Sequence, residues 1–133
     1  MNIKKIEGIG PKYAATLAKS GVKTTNRLLK DGASKKGRQM LAQKTGISEK
    51  LILEWVNLAD LMRVKGVGEE YSDLLEEAGV DSVKELRNRV ADNLYQAMLD
   101  TNAKKKLVRR PPSKKQVSNW VKEAKKLPPV ITY

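Results

Sequence analysis

The fold is decided by the stretch IEGIGPKYAATLAKSGVKTTNRLL, residues 6–29, because the chain carries a second version of it. VKGVGEEYSDLLEEAGVDSVKELR, residues 64–87, aligns to it without gaps at a shift of 58 residues. Self-similarity at a fixed spacing indicates a repeated structural unit. The identical pairs are Gly8/Gly66, Gly10/Gly68, Tyr13/Tyr71, Leu17/Leu75, Gly21/Gly79, Val22/Val80 and Leu28/Leu86.

A second match follows at a shift of 65 residues, so the second copy carries about seven extra residues between its halves. SEKLILEWVNLADLM, from Ser48, aligns to SKKQVSNWVKEAKKL, from Ser113. Apolar side chains recur at helical spacing through the first of these stretches, which predicts an amphipathic helix. Trp55 and Trp120 occupy matched positions on this apolar stripe. We expect core packing for both, with stacking on a nucleobase as the alternative.

Local signals predict helices elsewhere as well. Pro11 suits the first turn of a helix that runs to about Lys19, and Gly21 suits a left-handed cap after it. The lysine-rich region 34–44 also reads as a short helix, and no convincing alternating strand is present. The inner face of the first helix is predicted to hold Ala14, Leu17 and Ala18.

Serine and threonine mark where other helices begin. Thr24 and Ser82 are placed as N-caps, because their side-chain oxygens can accept from a free helix N–H group. Ser82 with Glu85, and Ser113 with Gln116, have the spacing of a capping box. The chain is therefore predicted to be all-α.

The charge is strongly basic and unevenly distributed. The chain carries 27 Lys and Arg against 15 Asp and Glu, for a net charge of +12 and a pI near 9.9. Residues 1–62 hold 12 basic against 5 acidic side chains, residues 63–103 hold 5 against 9, and residues 104–133 hold 10 against 1. Two basic segments thus flank an acidic one, which favours a polyanionic partner, although a solvated basic surface is the alternative.

Composition narrows the chemistry. The chain lacks Cys and His, so disulfides, thiolate nucleophiles and the usual zinc ligands are absent, and no metal site is expected. The start MNIKKIEGIG lacks the apolar run of a signal peptide, and no stretch approaches the roughly 20 apolar residues of a membrane span. We expect a cytoplasmic protein with no membrane association.

Each copy opens with a glycine turn in which an apolar residue and a glycine alternate, at residues 6–10 and 64–68. Glycines permit positive φ angles and close approach of a partner to the backbone. In the helix that follows, the first amide groups have no acceptor within the helix. These amides and the positive end of the helix dipole can together hold an anion. We expect a phosphate of a nucleic acid to bind there. A single Gly-x-Gly turn would be weak evidence for such a site, and its presence in both copies strengthens that evidence.

The pattern GIGPKYAATLAKSGVKTTNRLL, followed by TGIS and a helix ending WVNLA, resembles the tandem helix-hairpin-helix domains of DNA repair and recombination proteins. Those include the junction-binding subunit of the bacterial branch-migration complex and C-terminal domains of several nucleases and ligases. The duplicated arrangement, through to Val130–Tyr133, also resembles a domain-of-unknown-function family of small stand-alone proteins of this type. The similarity covers residues 3–63 and 64–87 well and 88–112 poorly.

The resemblance implies two tandem helix-hairpin-helix units packed together: a basic unit at 1–62, a second unit at 63–127 with an acidic first half and a basic second half, and an extended tail at 128–133. It also implies sequence-independent binding of DNA by the backbone of the hairpins, and in some family members a monovalent cation held by hairpin carbonyls. No other cofactor is implied. The residues it assigns to phosphate binding are Gly8, Ile9, Gly10 and Lys12 in the leading turn, and Gly46 and Ser48 in a companion turn. We add the neighbouring lysines Lys35, Lys36 and Lys50.

The second copy departs from this pattern. Glu69 and Glu70 follow Gly68, and Asp73, Glu76 and Glu77 come after them. Acidic side chains in the first turn satisfy the positive end of the helix and repel phosphate. We expect the turn at 66–68 to be a weak DNA site or none, and to serve structure or a protein partner.

A second basic cluster surrounds Pro111 and Pro112. Its side chains are either a solvated loop and helix start or a set of flexible phosphate contacts that supplement the first turn. The members assigned to phosphate contact are Lys104, Lys105, Arg109, Arg110 and Lys114.

Sequence-independent binding of nucleic acid, with DNA as the expected ligand, is thus the predicted function. The alternative is a protein-interaction or assembly module that uses the acidic surface of the second unit. The tail at 128–133 cannot continue a helix and is expected to pack on its own chain or on another. No catalytic residues are expected, because the serines lack a histidine base and nothing in the chain forms the enclosing body that a base-flipping enzyme needs.

Overall fold

The computed structural model describes all 133 residues, Met1 to Tyr133, and the protein consists of eight α-helices and a short 3₁₀ helix at Ile3–Lys5. The all-α prediction is confirmed, since the only sheet-like pairing is one isolated bridge between Asn2 and Thr24. None of the helices has both the length and the apolar character that crossing a bilayer requires. The helices are α1 (Pro11–Lys19), α2 (Thr25–Gly32), α3 (Lys35–Thr45), α4 (Glu49–Leu61), α5 (Glu69–Glu77), α6 (Val83–Arg87), α7 (Ala91–Lys105) and α8 (Lys114–Lys126).

The chain divides into two compact units. Unit 1 comprises Met1–Asp60 together with Val130–Tyr133, and unit 2 comprises Leu61–Pro129. The sequence repeat places the boundary after residue 62 and treats 128–133 as a separate tail. In the structure the division falls after Asp60, within the last turn of α4, and the final four residues belong to unit 1.

The sequence repeat is also a repeat of geometry. Helices α1 and α5 each span nine residues and follow glycines with φ angles of +92° at Gly8 and +91° at Gly66. In unit 1 the rings of Tyr13 and Trp55 have centroids 5.1 Å apart, and Tyr71 and Trp120 repeat this distance in unit 2. Equivalent residues therefore make equivalent contacts in the two units.

Both tryptophans lie in the core, as expected from their place on the apolar stripe. Trp55 is 2% exposed and Trp120 is 3% exposed. Neither ring can stack on a nucleobase without unfolding its surroundings, so this alternative does not apply to them. In unit 2 the buried cluster around Trp120 is built almost wholly of aliphatic side chains, including Leu74, Leu75 and Val117.

The helix boundaries follow the capping signals closely. Gly21 is left-handed, as predicted, with a φ angle of +84°. The Thr24 hydroxyl accepts a hydrogen bond from the Arg27 amide at 3.1 Å, as expected of an N-cap. Both halves of the capping box between Ser113 and Gln116 are present.

The second predicted capping box is only half formed. The Ser82 hydroxyl accepts from the Glu85 amide at 3.2 Å, but the reciprocal bond back to Ser82 is missing. The Glu85 carboxylate instead lies 3.7 Å from Arg89, one helical turn further on. A cation at i+4 therefore draws the carboxylate away from the N-cap.

The second halves of the two units differ in length. Helix α3 spans 11 residues and is followed by a short turn at 46–48, whereas α7 spans 15 residues and is followed by a longer connection at 106–113. The buried Asn102 side chain holds that connection, because it accepts from the Val108 amide at 3.0 Å and donates to the Val108 carbonyl at 3.2 Å. The extra residues of the second copy thus form a longer helix and a pinned loop.

The last residues of the chain pack on their own unit. The Thr132 amide donates to the Ala33 carbonyl at 2.8 Å, and the Arg38 guanidinium donates to the Thr132 carbonyl at 2.7 Å. The Tyr133 hydroxyl and the Asn57 side-chain oxygen are hydrogen-bonded at 3.1 Å. Of the two expectations for the tail, packing on its own chain is the one observed.

Candidate nucleic-acid interface

The leading turn is anchored by two buried isoleucines that leave its glycines at the surface. Ile6 is 1% exposed and Ile9 is 5% exposed, and the Ile9 amide donates to the Ile6 carbonyl at 3.2 Å. Gly8, between them, is exposed and takes the left-handed conformation. Alternation of apolar residue and glycine thus fixes the turn on the core while its outer edge stays open to solvent.

The φ angle is not the only feature that requires glycine at position 8. A side-chain Cβ at this position would lie 3.3 Å from the Trp55 indole nitrogen, closer than ordinary van der Waals contact. The edge of the buried indole thus occupies the space behind the turn.

The first turn of α1 offers free donors. Gly10 is the N-cap and supplies no side-chain acceptor, and Pro11 has no amide hydrogen. The first helical bond is from the Ala14 amide to the Gly10 carbonyl, at 2.9 Å. The amides of Gly10, Lys12 and Tyr13 have no acceptor in the structure.

This end of α1 is accessible, and the acidic side chain nearest to it in sequence is Glu7, in the turn before the helix. Gly10, Pro11 and Lys12 are all exposed, and the first turn contains no acidic side chain. A Cβ built at Gly10 meets no atom within 4 Å, so there is open space in front of the helix end. The positive end of the helix dipole is therefore uncompensated and open to an anion.

The companion turn at 45–48 is built differently. Gly46 ends α3 in a left-handed conformation with φ of +73°, and its amide donates to the Ala42 carbonyl at 2.9 Å. The Ser48 hydroxyl accepts from the Leu51 amide at 3.2 Å, so it caps α4. Its own proton remains to be donated, and the exposed Gly46 and Ser48 keep this turn at the surface.

Four predicted lysines of unit 1 point into solvent. Lys12, Lys35, Lys36 and Lys50 are exposed and form no ion pair. Lys35 and Lys50, which come from the first turns of α3 and α4, line the same cavity of about 310 Å³. Unit 1 therefore brings two of the predicted phosphate contacts together.

The turn of unit 2 has the same backbone and a different charge. Gly68 is again an N-cap without a side-chain bond, and the Ser72 amide donates to the Gly68 carbonyl at 2.9 Å. Glu69 and Glu70 then occupy the first turn of α5, and both are exposed. Their charges oppose any anion that approaches these amides.

Part of the C-terminal basic cluster is already paired. Lys105 forms an ion pair with Glu77, and the Lys114 ammonium lies 3.4 Å from the Asp92 carboxylate. Lys104, Arg109 and Arg110 are exposed without such partners. The Arg110 carbonyl accepts from the Tyr71 hydroxyl at 3.1 Å, so these side chains project from a held backbone rather than from a loose loop.

A further basic groove in unit 1 is missing from the sequence-based assignment. Arg27, Lys30 and Lys44 line a groove of about 360 Å³ on α2 and α3, together with Asp31. Arg27 is bound to Asp31 at 2.9 Å. The i, i+3 spacing of Arg27 and Lys30 on one helix could have indicated it, but the approach of Lys44 depends on how α2 and α3 pack.

Comparison with known proteins identifies the family and nothing narrower. No curated protein and no solved structure shows significant similarity to the chain. One family model, described as a domain of unknown function (DUF4332), matches residues 7–127. Because that match spans both units and most of the chain, the protein belongs to the DUF4332 family.

Proposed function

We propose that the protein binds nucleic acid, DNA in particular, without sequence preference and without catalysing a reaction, and that it acts in the cytoplasm. Backbone amides at the start of α1 would hold one phosphate, and the lysines of unit 1 would hold its neighbours. On this proposal each copy is a helix-hairpin-helix unit, in line with the resemblance of the sequence motifs.

The observation that carries the proposal is the open start of α1. The start of α1 has three amide donors without acceptors and an exposed glycine N-cap. Its first turn contains Lys12 and no acidic side chain. Hydrogen bonds from such amides to a charged phosphate oxygen contribute about 1.5–3 kcal/mol each when an anion fills the site. Phosphates are present at every step of a nucleic acid, so this mode of binding reads no bases.

The unpaired lysines extend the interface beyond one phosphate. Lys35, Lys36 and Lys50 are exposed and form no ion pair within the chain. If about five phosphates are neutralised in all, the logarithm of the affinity falls against the logarithm of the salt concentration with a slope of about −4 to −5.

The decisive experiment uses one substitution in two equivalent places. Gly10→Asp puts a carboxylate at the N-cap of α1, where φ is −82° and space is free. Aspartate is a good N-cap, so the variant should fold at least as stably, while its charge fills the site that the phosphate would use. We expect at least a tenfold loss of duplex DNA affinity by fluorescence anisotropy, from the bonds that are lost.

Gly68→Asp is the matched control. Gly68 is an N-cap of the same kind, with no atom within 4 Å of a Cβ, but Glu69 and Glu70 already make its surroundings acidic. We expect this variant to bind DNA within about twofold of wild type. Equal losses in the two variants would mean that the units do not differ as proposed.

Absence of DNA binding at low salt, or binding that salt does not weaken, would remove the proposal altogether. The chain would then be better explained as an assembly module. The acidic start of α5, where Glu69 and Glu70 are both exposed, is the surface that would favour that function.

A further inference from the structure

The Tyr133 ring is held in place and yet largely exposed. Its side chain is 64% exposed, while its hydroxyl is hydrogen-bonded to the buried Asn57 at 3.1 Å. The guanidinium carbon of Arg38 lies over the ring, 5.8 Å from its centroid. An exposed aromatic side chain usually moves among several rotamers, whereas this one is fixed at the hydroxyl and at one face.

The support for the ring is itself buried and rigid. Arg38 is 4% exposed and donates to the carbonyls of Gly32, Ala33 and Thr132 at 2.9, 3.1 and 2.7 Å. The Thr132 amide returns a bond to Ala33 at 2.8 Å. Since all these contacts lie within unit 1, the ring is pre-positioned by the same core that holds α3 and α4.

The ring borders a cavity of about 310 Å³ whose other walls are charged. Lys35, Lys50 and Glu49 line it together with Leu53. Both lysines are exposed and unpaired, so they can reach a ligand in the cavity. The cavity therefore combines an aromatic ring, an apolar wall, two exposed lysines and the charges of Glu49 and Arg38.

We propose that this cavity binds an unpaired nucleobase of a single-stranded nucleic acid, stacked on the ring of Tyr133, with the flanking phosphates at Lys35 and Lys50. A fixed aromatic face beside cations is the arrangement that single-stranded nucleic acids recognise, because every base presents a π-face and every nucleotide carries a phosphate. The proposal rests on the proposed function and adds to it a preference for strands with unpaired bases.

A duplex does not fit this site. Bases within a duplex are stacked on both faces, so Tyr133 could reach one only in a single strand, an end or a junction. A ring that is fixed before binding also loses little conformational entropy when a base stacks on it.

The test compares two variants at one position. Tyr133→Phe keeps the ring and loses only the bond to Asn57, whereas Tyr133→Leu keeps apolar bulk and loses the π-face. Anisotropy with a short single-stranded DNA should find Tyr133→Phe within about twofold of wild type and Tyr133→Leu weaker by about tenfold. Affinity for a long duplex, in which sites along the body far outnumber the two ends, should be the same for all three proteins.

A second measurement needs no variant. A single-stranded oligonucleotide that carries 5-iodouracil is irradiated with the wild-type protein, and the adduct is located by mass spectrometry. We expect the adduct at Tyr133. An adduct at Tyr13, which is 37% exposed at the start of α1, would overturn the proposal.

The other outcomes separate this inference from the proposed function. If Tyr133→Leu binds single strands as well as wild type, or weakens duplex and single strand equally, the base site is wrong. In that case the proposed function would still be supported if Gly10→Asp weakens duplex binding. If wild type binds neither form of DNA at low salt, both proposals fail together.

Discussion

The turns at 6–10 and 64–68 share one backbone and differ in charge. Gly8 and Gly66 agree within one degree in φ, and the indole nitrogen behind each lies 3.3 or 3.2 Å from the position of a Cβ. After the second glycine, however, one copy continues with Pro11 and Lys12, and the other with two glutamates. Shape has therefore been kept through the duplication, while the first turn of the following helix has changed from one lysine to two glutamates.

The physical reason is that shape and charge depend on different positions. The turn is set by residues that point inward, such as Ile6 and Val64, which are each 1% exposed. The charge is set by side chains on the first turn of the following helix, which are exposed and can change at little cost in stability. Equal geometry in two repeats consequently gives no assurance of equal binding.

The largest expected effect tests the shared core. Trp55→Ala and Trp120→Ala should each lower the free energy of unfolding by about 3–5 kcal/mol, since both remove a buried indole and leave a cavity. The two losses, measured by urea denaturation, should agree within about 1 kcal/mol, given the equal burial and equal ring contacts. Lys122→Ala, at an exposed site on α8, is the control and should be near neutral. A small loss for Trp120→Ala alone would break the structural equivalence of the units.

A medium effect tests why each turn needs its first glycine. Gly8→Ala and Gly66→Ala should cost about 1–2 kcal/mol, because alanine is strained at positive φ. Gly10→Ala and Gly68→Ala are the matched controls, with negative φ and no neighbour within 4 Å, and should cost only about 0.5 kcal/mol, because alanine is a poorer N-cap than glycine. Thermal unfolding measures all four. Equal costs at the first and second glycines would contradict the left-handed strain that the φ angles of Gly8 and Gly66 imply.

The smallest expected effect tests the difference in charge. Glu69→Pro combined with Glu70→Lys converts the start of α5 to the sequence found at the start of α1. We expect duplex DNA affinity to rise about fivefold, and the salt dependence to steepen by about one phosphate contact. The reverse pair, Pro11→Glu with Lys12→Glu, should weaken binding. If the conversion in unit 2 brings no gain, local charge is not what distinguishes the turns.

Much of the helix pattern could be predicted because its signals are local. Proline at the start of α1, glycine after its end and a threonine N-cap before α2 act within a few residues of themselves. The predicted helix from Pro11 to about Lys19 is the one observed. The prediction of a capping box at Ser82 was wrong for the bond between the Glu85 carboxylate and the Ser82 amide. Arg89, one turn away, pairs with that carboxylate instead.

The candidate site was less accessible to sequence reasoning. Lys105 and Lys114 read as free cations along the chain, yet carboxylates on other helices pair with both. Arg38 and Tyr133 are separated by most of the sequence, and nothing near either residue indicates that they meet. Such contacts depend on how distant helices pack together, and no local sequence pattern indicates that packing.

The amino-acid sequence by itself determined that the protein is all-helical, that it is built from a duplicated unit, and that each unit begins with a glycine turn. These properties follow from periodicity, capping and backbone sterics, which act between residues close in the chain. Tertiary structure alone decided that indole edges close the turns from behind, that Val130–Tyr133 joins unit 1, and which lysines remain unpaired. Those outcomes come from contacts between distant residues, where burial and Coulomb attraction select partners that sequence order does not reveal.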